Sequence, residues 1–151
     1  MKQASLSTPF GDLTLTEEDG AITALGWGQA ARQDRSDLLD AALRQLKEYA
    51  TDERQSFDLP LRVMGSDFQR AVCTAILAIP FGHTRTYGEI ARDLGVPAQA
   101  VGGACGGNPI PVIIPCHRVM GAKGLTGFSG AGGVETKVAL LRHEGAAGLL
   151  I

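Results

Sequence analysis

The sequence predicts an α/β chain in two parts: a small mixed unit over residues 1–64, then a mostly helical unit over residues 65–151 that contains a helix-turn-helix. Three observations predict it. The N-terminal stretch alternates apolar and polar residues around hairpin signals, the mark of half-buried strands. From residue 65 the apolar period becomes helical, and two capping boxes appear. The charge also changes there. Residues 65–151 carry seven cations and five anions, a balance of +2, which leaves −4 for residues 1–64 out of a total of −2. Only the second part can face a polyanion without repulsion. At 151 residues, 44% hydrophobic and 20% charged, the chain can bury a sizeable core.

The elements follow in order. Ser5-Leu6-Ser7 leads into the turn Thr8-Pro9-Phe10-Gly11, and Leu13-Thr14-Leu15-Thr16 alternates. Asp19-Gly20 is a hairpin signal, and residues 21–25 return as a strand. A polar linker spans residues 28–36. Leu38, Leu39, Ala42, Leu43, Leu46 and Tyr49 then recur at helical spacing. Residues 59–63 are short and extended.

In the second part, Ser66 with Gln69 reads as a capping box, and Phe68, Val72, Ile76 and Ile79 form the apolar face of a helix ended by Pro80. Thr86 with Glu89 is a second box. It opens a helix from Tyr87 to Leu94 that Gly95 closes. Pro97 suits the start of another helix running toward Gly106. Two short helices around a glycine turn read as a helix-turn-helix. The second is unusual. Four glycines among residues 98–107 disfavour a helix by about 1 kcal/mol each. A helix kept that small suits close approach of another surface, such as a DNA groove. Residues 110–114 read as a buried strand, and residues 121–133 as a glycine-rich loop. Val134, Val138 and Leu141 mark one face of a last helix ending at Glu144-Gly145.

That apolar run delivers Cys116, His117 and Arg118 together. A thiol near pKa 8.5 needs a base or a positive field to react as thiolate. His117 adjoins Cys116, but neighbours on extended backbone point to opposite faces, so contact through one water is the easier geometry. Glu144 at a helix end can orient His117, giving a Cys–His–Glu relay. Cys73, Cys105 and Cys116 are odd in number and scattered, which suits free thiols in a reducing compartment. With His83, His117 and His143 they show no zinc spacing, so neither a metal nor any other cofactor is expected. No apolar stretch approaches the ~18 residues of a membrane span, and residues 1–5 lack the apolar core of a signal peptide. A soluble cytoplasmic monomer is expected.

Pro115-Cys116-His117-Arg118-Val119, preceded by Gly107-Asn108-Pro109-Ile110-Pro111 and followed by His143-Glu144-Gly145, closely resembles the O6-alkylguanine-DNA alkyltransferases. The match runs from about Phe68 to Gly145. The resemblance implies a ribonuclease-H-like N-domain before a catalytic domain with a winged-helix-like helix-turn-helix. It implies that the chain binds double-stranded DNA containing O6-alkylguanine and rotates the damaged base into a pocket. Cys116 would take the alkyl group irreversibly, with Glu144, His117 and a water generating the thiolate. Tyr87 would give a proton to the departing guanine. Asn108 would tie the recognition helix to the Cys116 segment, and Arg118 would be structural. The carbonyls of Cys116 and Val119 would accept from the guanine amino group, and Ser129 would lie over O6. Cys105 falls at a pocket position and reads as packing. Ala98, Gln99, Ala100, Gly102 and Gly103 would face DNA.

Three departures qualify the resemblance. Gln99 stands where the family usually has an arginine that fills the gap left by the base. Phe128 replaces a common tyrosine. The loop from Ser129 to Lys137 is longer than in the best-known members. A zinc site present in some animal members is absent, because residues 1–64 contain neither cysteine nor histidine. The competing readings are a non-enzymatic lesion-binding protein that flags damage, and a thiol hydrolase.

Overall fold

The computed structural model describes residues 1–121 and 133–146. Its contacts divide the chain into two compact units, Met1–Met64 and Gly65–Ile151. In the first unit the alternating stretches form β1 (Lys2–Thr8), β2 (Gly11–Glu18) and β3 (Ala21–Trp27), an antiparallel sheet in the order β1-β2-β3. Asp19 and Gly20 both take positive φ, 50° and 78°, which matches the twist of a tight hairpin. The register shifts between Thr16 and Glu17. One face of the sheet buries Ala4, Leu13, Leu15, Ile22 and Leu25. Helix α1 (Asp37–Ala50) packs on it through Leu39, Ala42, Leu46 and Tyr49. Ser36 caps α1, its Oγ accepting from the Leu39 N–H at 2.9 Å. The extended residues 59–63 bridge β3 in parallel: Ile22 N donates to the Pro60 carbonyl at 2.8 Å and Arg62 N to the Ile22 carbonyl at 3.0 Å.

The second unit begins with α2 (Asp67–Leu77). Ser66 Oγ accepts from Gln69 N at 3.0 Å, but the other half of the box is missing. The Gln69 amide instead donates to the Ala104 carbonyl at 2.8 Å and meets Cys73 Sγ at 3.6 Å. It thereby ties α2 to α4 (Ala98–Gly106). Helix α2 stops at Leu77, so Ile79 lies beyond it. The Thr86–Glu89 box is complete, with reciprocal bonds of 3.0 and 2.8 Å, and starts α3 (Tyr87–Leu94). Gly95 closes α3 at φ 69°, a left-handed cap that glycine adopts without steric cost. Helices α3 and α4 pack together as the helix-turn-helix.

Two expectations are corrected. Residues 110–114 are not a strand but a buried turn, closed by the Ile114 N–H on the Ile110 carbonyl at 2.9 Å. Pro109, Pro111 and Pro115 remove ladder donors, and Val112 sits at φ 73°, outside strand geometry. The run is apolar because it is buried, not because it is paired: Ile110, Val112, Ile113 and Ile114 all lie in the core. The last helix, α5 (Val134–Glu144), buries Thr136, Lys137, Leu140, Leu141 and Glu144, while Val134 is 42% exposed. The face marked by Val134 and Val138 is therefore rotated away from the core.

After the turn come a 3-10 turn, Cys116–Arg118, and β5 (Val119–Met120). β5 pairs in parallel with β4 (Arg85–Thr86), Arg85 opposite Val119 and Thr86 opposite Met120. This two-residue ladder sets the first residue of α3 beside the end of the Cys116 turn.

Candidate active site

Asn108 organises the segment that carries the thiol. Its side-chain N–H₂ donates to the Ile114 carbonyl at 2.9 Å, and its Oδ1 accepts from Ile110 N at 3.0 Å. Both bonds are buried, so each replaces water that the turn excludes. The same side chain hydrogen-bonds the Cys116 thiol. Cys116 is only 4% exposed, and burial pushes its pKa up. The Asn108 bond and the charge of Lys137 oppose that shift.

The chain turns at Cys116, so the opposition of neighbours on an extended strand does not apply. The His117 ring nevertheless goes to α5, where Nε2 lies 2.8 Å from Glu144 Oε2. Arg118 grips the same carboxylate with two prongs, Nε to Oε1 at 2.8 Å and Nη2 to Oε2 at 2.9 Å. Its third nitrogen, Nη1, donates to the Ile79 carbonyl at 2.6 Å. This is why Ile79 has to lie outside α2: its carbonyl is free of the helix. Glu144 is held down at about 2, since the bonds from His117 and Arg118 outweigh the upward effect of burial. An ionised Glu144 only accepts, so His117 Nε2 carries the proton. The neutral ring then presents a lone pair at Nδ1. That atom is buried and has no hydrogen-bond partner among the described residues. Burial holds the His117 pKa below its usual value, despite the pull of Glu144.

Lys137 was not foreseen as part of the site. It is fully buried, and its Nζ donates to the Val119 carbonyl at 2.6 Å. The same ammonium lies 5.8 Å from the centroid of the Tyr87 ring. Lys137 therefore links Val119, Tyr87 and the Cys116 turn. Its signal was available: it precedes Glu144 by seven residues, two helical turns, and shares its face. Cys105 lies on the buried face of α4, and its thiol is pushed up to about 12 by burial and by repulsion from Cys116. It stays protonated at neutral pH.

The DNA-facing candidates lie elsewhere. Ala98, Gln99 and Gly103 are exposed on α4, and Ala100 and Gly102 are half-buried. A Cβ added to Gly102, Gly103 or Gly106 would meet nothing within 4 Å. No intramolecular packing demands these glycines. Ser129 and Phe128 lie outside the described residues. Among the described residues no group of three His, Cys, Asp or Glu side chains could hold a metal ion, and no helix is long and apolar enough to cross a membrane.

Two family models match the chain. The one described as 6-O-methylguanine DNA methyltransferase, DNA binding domain, covers residues 67–146, and the one described as 6-O-methylguanine DNA methyltransferase, ribonuclease-like domain, covers residues 1–63. A methylated-DNA–protein-cysteine methyltransferase of Mycolicibacterium paratuberculosis is 41% identical over 93% of this chain and 90% of its own. One from Methanosarcina barkeri is 50% identical over 92% and 94%. Among solved structures, Mycobacterium tuberculosis OGT in complex with DNA aligns at TM-score 0.85 and 40% identity, covering 96% of this chain and 93% of that one.

Proposed function

The chain belongs to the 6-O-methylguanine DNA methyltransferase family, and on that premise we propose that it repairs O6-alkylguanine in duplex DNA by moving the alkyl group to Cys116. The observation that carries the residue assignment is the buried Glu144–His117 pair, with its open Nδ1, on the turn that presents Cys116. His117 Nδ1 takes the thiol proton through one water, and Glu144 stabilises the imidazolium that forms. The thiolate attacks the alkyl carbon in line. The S–C bond forms as the C–O6 bond breaks, and the electron pair leaves with guanine. Tyr87 gives that guanine a proton, so it departs neutral. The proton taken from the thiol restores the tyrosine. In sum, thiol and O6-alkylguanine become thioether and guanine. Neither water nor thiols readily cleave a thioether, so each molecule acts once.

Binding falls to α4. Its glycines cost helix stability and serve no packing within the chain, which supports close approach of a DNA groove. Gln99 would occupy the gap left by the rotated base, an uncharged wedge where an arginine is usual. The carbonyls of Cys116 and Val119 would accept from the guanine amino group, and Ser129 would face O6. The three free cysteines suit a reducing cytoplasm, where the chain would act as a monomer without a cofactor.

The test is the mass of the peptide containing Cys116 after incubation with duplex DNA carrying O6-methylguanine. A stoichiometric gain of one methyl is expected, lost in Cys116→Ser. Tight lesion binding with no gain in mass would make the chain a damage flag instead, and ester turnover without either would make it a hydrolase.

A further inference from the structure

Lys137 poses an energetic problem that the relay leaves unexplained. Its side chain is wholly buried, and no carboxylate pairs with it among the described residues. Glu144, the one buried carboxylate there, is occupied by His117 and Arg118. Removing an ammonium from water costs several kcal/mol unless an opposite charge compensates. The Val119 carbonyl offers a dipole, and the Tyr87 ring a quadrupole. Neither is an anion. The groups facing Lys137 that can become anionic are the Cys116 and Cys105 thiols and the Tyr87 hydroxyl. The charges of Cys116 and Lys137 each favour the ionised form of the other.

We propose that Lys137 is a positioning residue for the reaction: its buried ammonium, anchored on the Val119 carbonyl, supplies the fixed positive field that stabilises the Cys116 thiolate. The inference rests on the alkyl-transfer reading of the site but concerns an interaction present before DNA binds. Arg118 cannot serve, because its charge is spent on Glu144. His117 is neutral until it accepts a proton. Lys137 is the buried cation left with no anion, and Cys116 is the nucleophile whose burial opposes ionisation. The alternative is that Lys137 only fastens α5 to β5 through the Val119 carbonyl.

Thiol titration without DNA separates the two. Cys116 is faced by Cys73 from α2, Cys105 and Asn108 from the end of α4, His117 and Arg118 of its own turn, and Lys137 and Glu144 from α5. Tyr87 of α3 faces Lys137. Only position 137 is altered. Carbamidomethylation of Cys116 by iodoacetamide is followed by peptide mass across pH in the wild type, Lys137→Gln and Lys137→Arg. Glutamine keeps a donor for the Val119 carbonyl and loses the charge; arginine keeps the charge. The expected result is a midpoint about one pH unit higher in Lys137→Gln, a roughly tenfold slower reaction below the midpoint, and recovery in Lys137→Arg. An unchanged midpoint in a folded Lys137→Gln overturns the proposal, whatever its melting temperature. If Lys137→Gln does not fold, the comparison passes to Lys137→Met under the same criterion. Methyl transfer from O6-methylguanine DNA runs in parallel. A wild type with a Lys137-dependent midpoint that takes no methyl would refute the alkyl-transfer reading and leave Lys137's field standing.

Discussion

At the scale of single residues the site is a problem in burying charge. Arg118, Glu144 and Lys137 are all taken from water, which is tolerable only with near-complete hydrogen bonding. Glu144 has that from His117 and both prongs of Arg118, and its carboxyl is held at about 2 against an ordinary 4.5. Between those values the unfolded chain binds the proton that the folded chain declines. Stability therefore falls as pH drops through that window. His117 acts in the same sense at higher pH. Its folded pKa lies below 6.5, so the unfolded state gains protons first as pH falls past that value. Urea unfolding at a series of pH values should show stability declining below about 6.5 and again below about 4.5. Glu144→Gln should remove most of the second decline. It should also cost roughly 3–5 kcal/mol at neutral pH, because Arg118 loses its buried partner. A variant that keeps the full wild-type decline below pH 4.5 would show that other carboxylates dominate it.

At the scale of elements, α4 sets intrinsic stability against what it must present. Gly102 and Gly103 sit inside a helix, yet a methyl group at either would touch nothing. Gly103→Ala should raise stability by about 0.5–1 kcal/mol, read by urea or thermal unfolding. The same change should weaken binding to lesion-containing duplex, read by fluorescence anisotropy. Stabilisation with undiminished binding would remove α4's glycines from the docking surface. The glycines, the Thr86–Glu89 box and Gly95 were legible because each acts through its own local backbone. The turn at residues 110–114 was not, since hydrophobicity reports burial and is silent on whether a buried segment is paired. The spacing of prolines there was the better signal. The face of α5 was misread for a related reason. Val134 and Val138 look like core, but the unit needed Lys137 and Glu144 inside, and no apolar pattern marks a buried ion. The β4–β5 ladder, two residues on each side, is too short to carry any pattern, yet it brings Tyr87 toward the Cys116 turn.

At the scale of the whole molecule, long-range charge offers little help in finding DNA. The chain carries −2 in total, with −4 on residues 1–64 and +2 on residues 65–151. Helix α4 itself contains no lysine or arginine. Affinity must then come mostly from short-range contact, and salt should weaken it only modestly, since each phosphate neutralised contributes about 0.9 to the slope of log K against log salt. Gln99 is the exposed position where one side chain would alter that balance most. Glutamine fills space and hydrogen-bonds, but it adds no attraction to the two strands that flank the vacated base. Gln99→Arg should therefore tighten binding to O6-methylguanine duplex several-fold and steepen the salt slope by up to about one. Single-turnover methyl transfer at sub-saturating DNA should quicken by a similar factor. The rate at saturation should hold, because Gln99 on the exposed surface of α4 is separate from the buried thiol and its relay. Anisotropy at two salt concentrations, paired with rapid-quench transfer, reads both quantities. If arginine leaves affinity, slope and rate as they were, Gln99 does not enter the base stack, and recognition must rest on the glycine face alone.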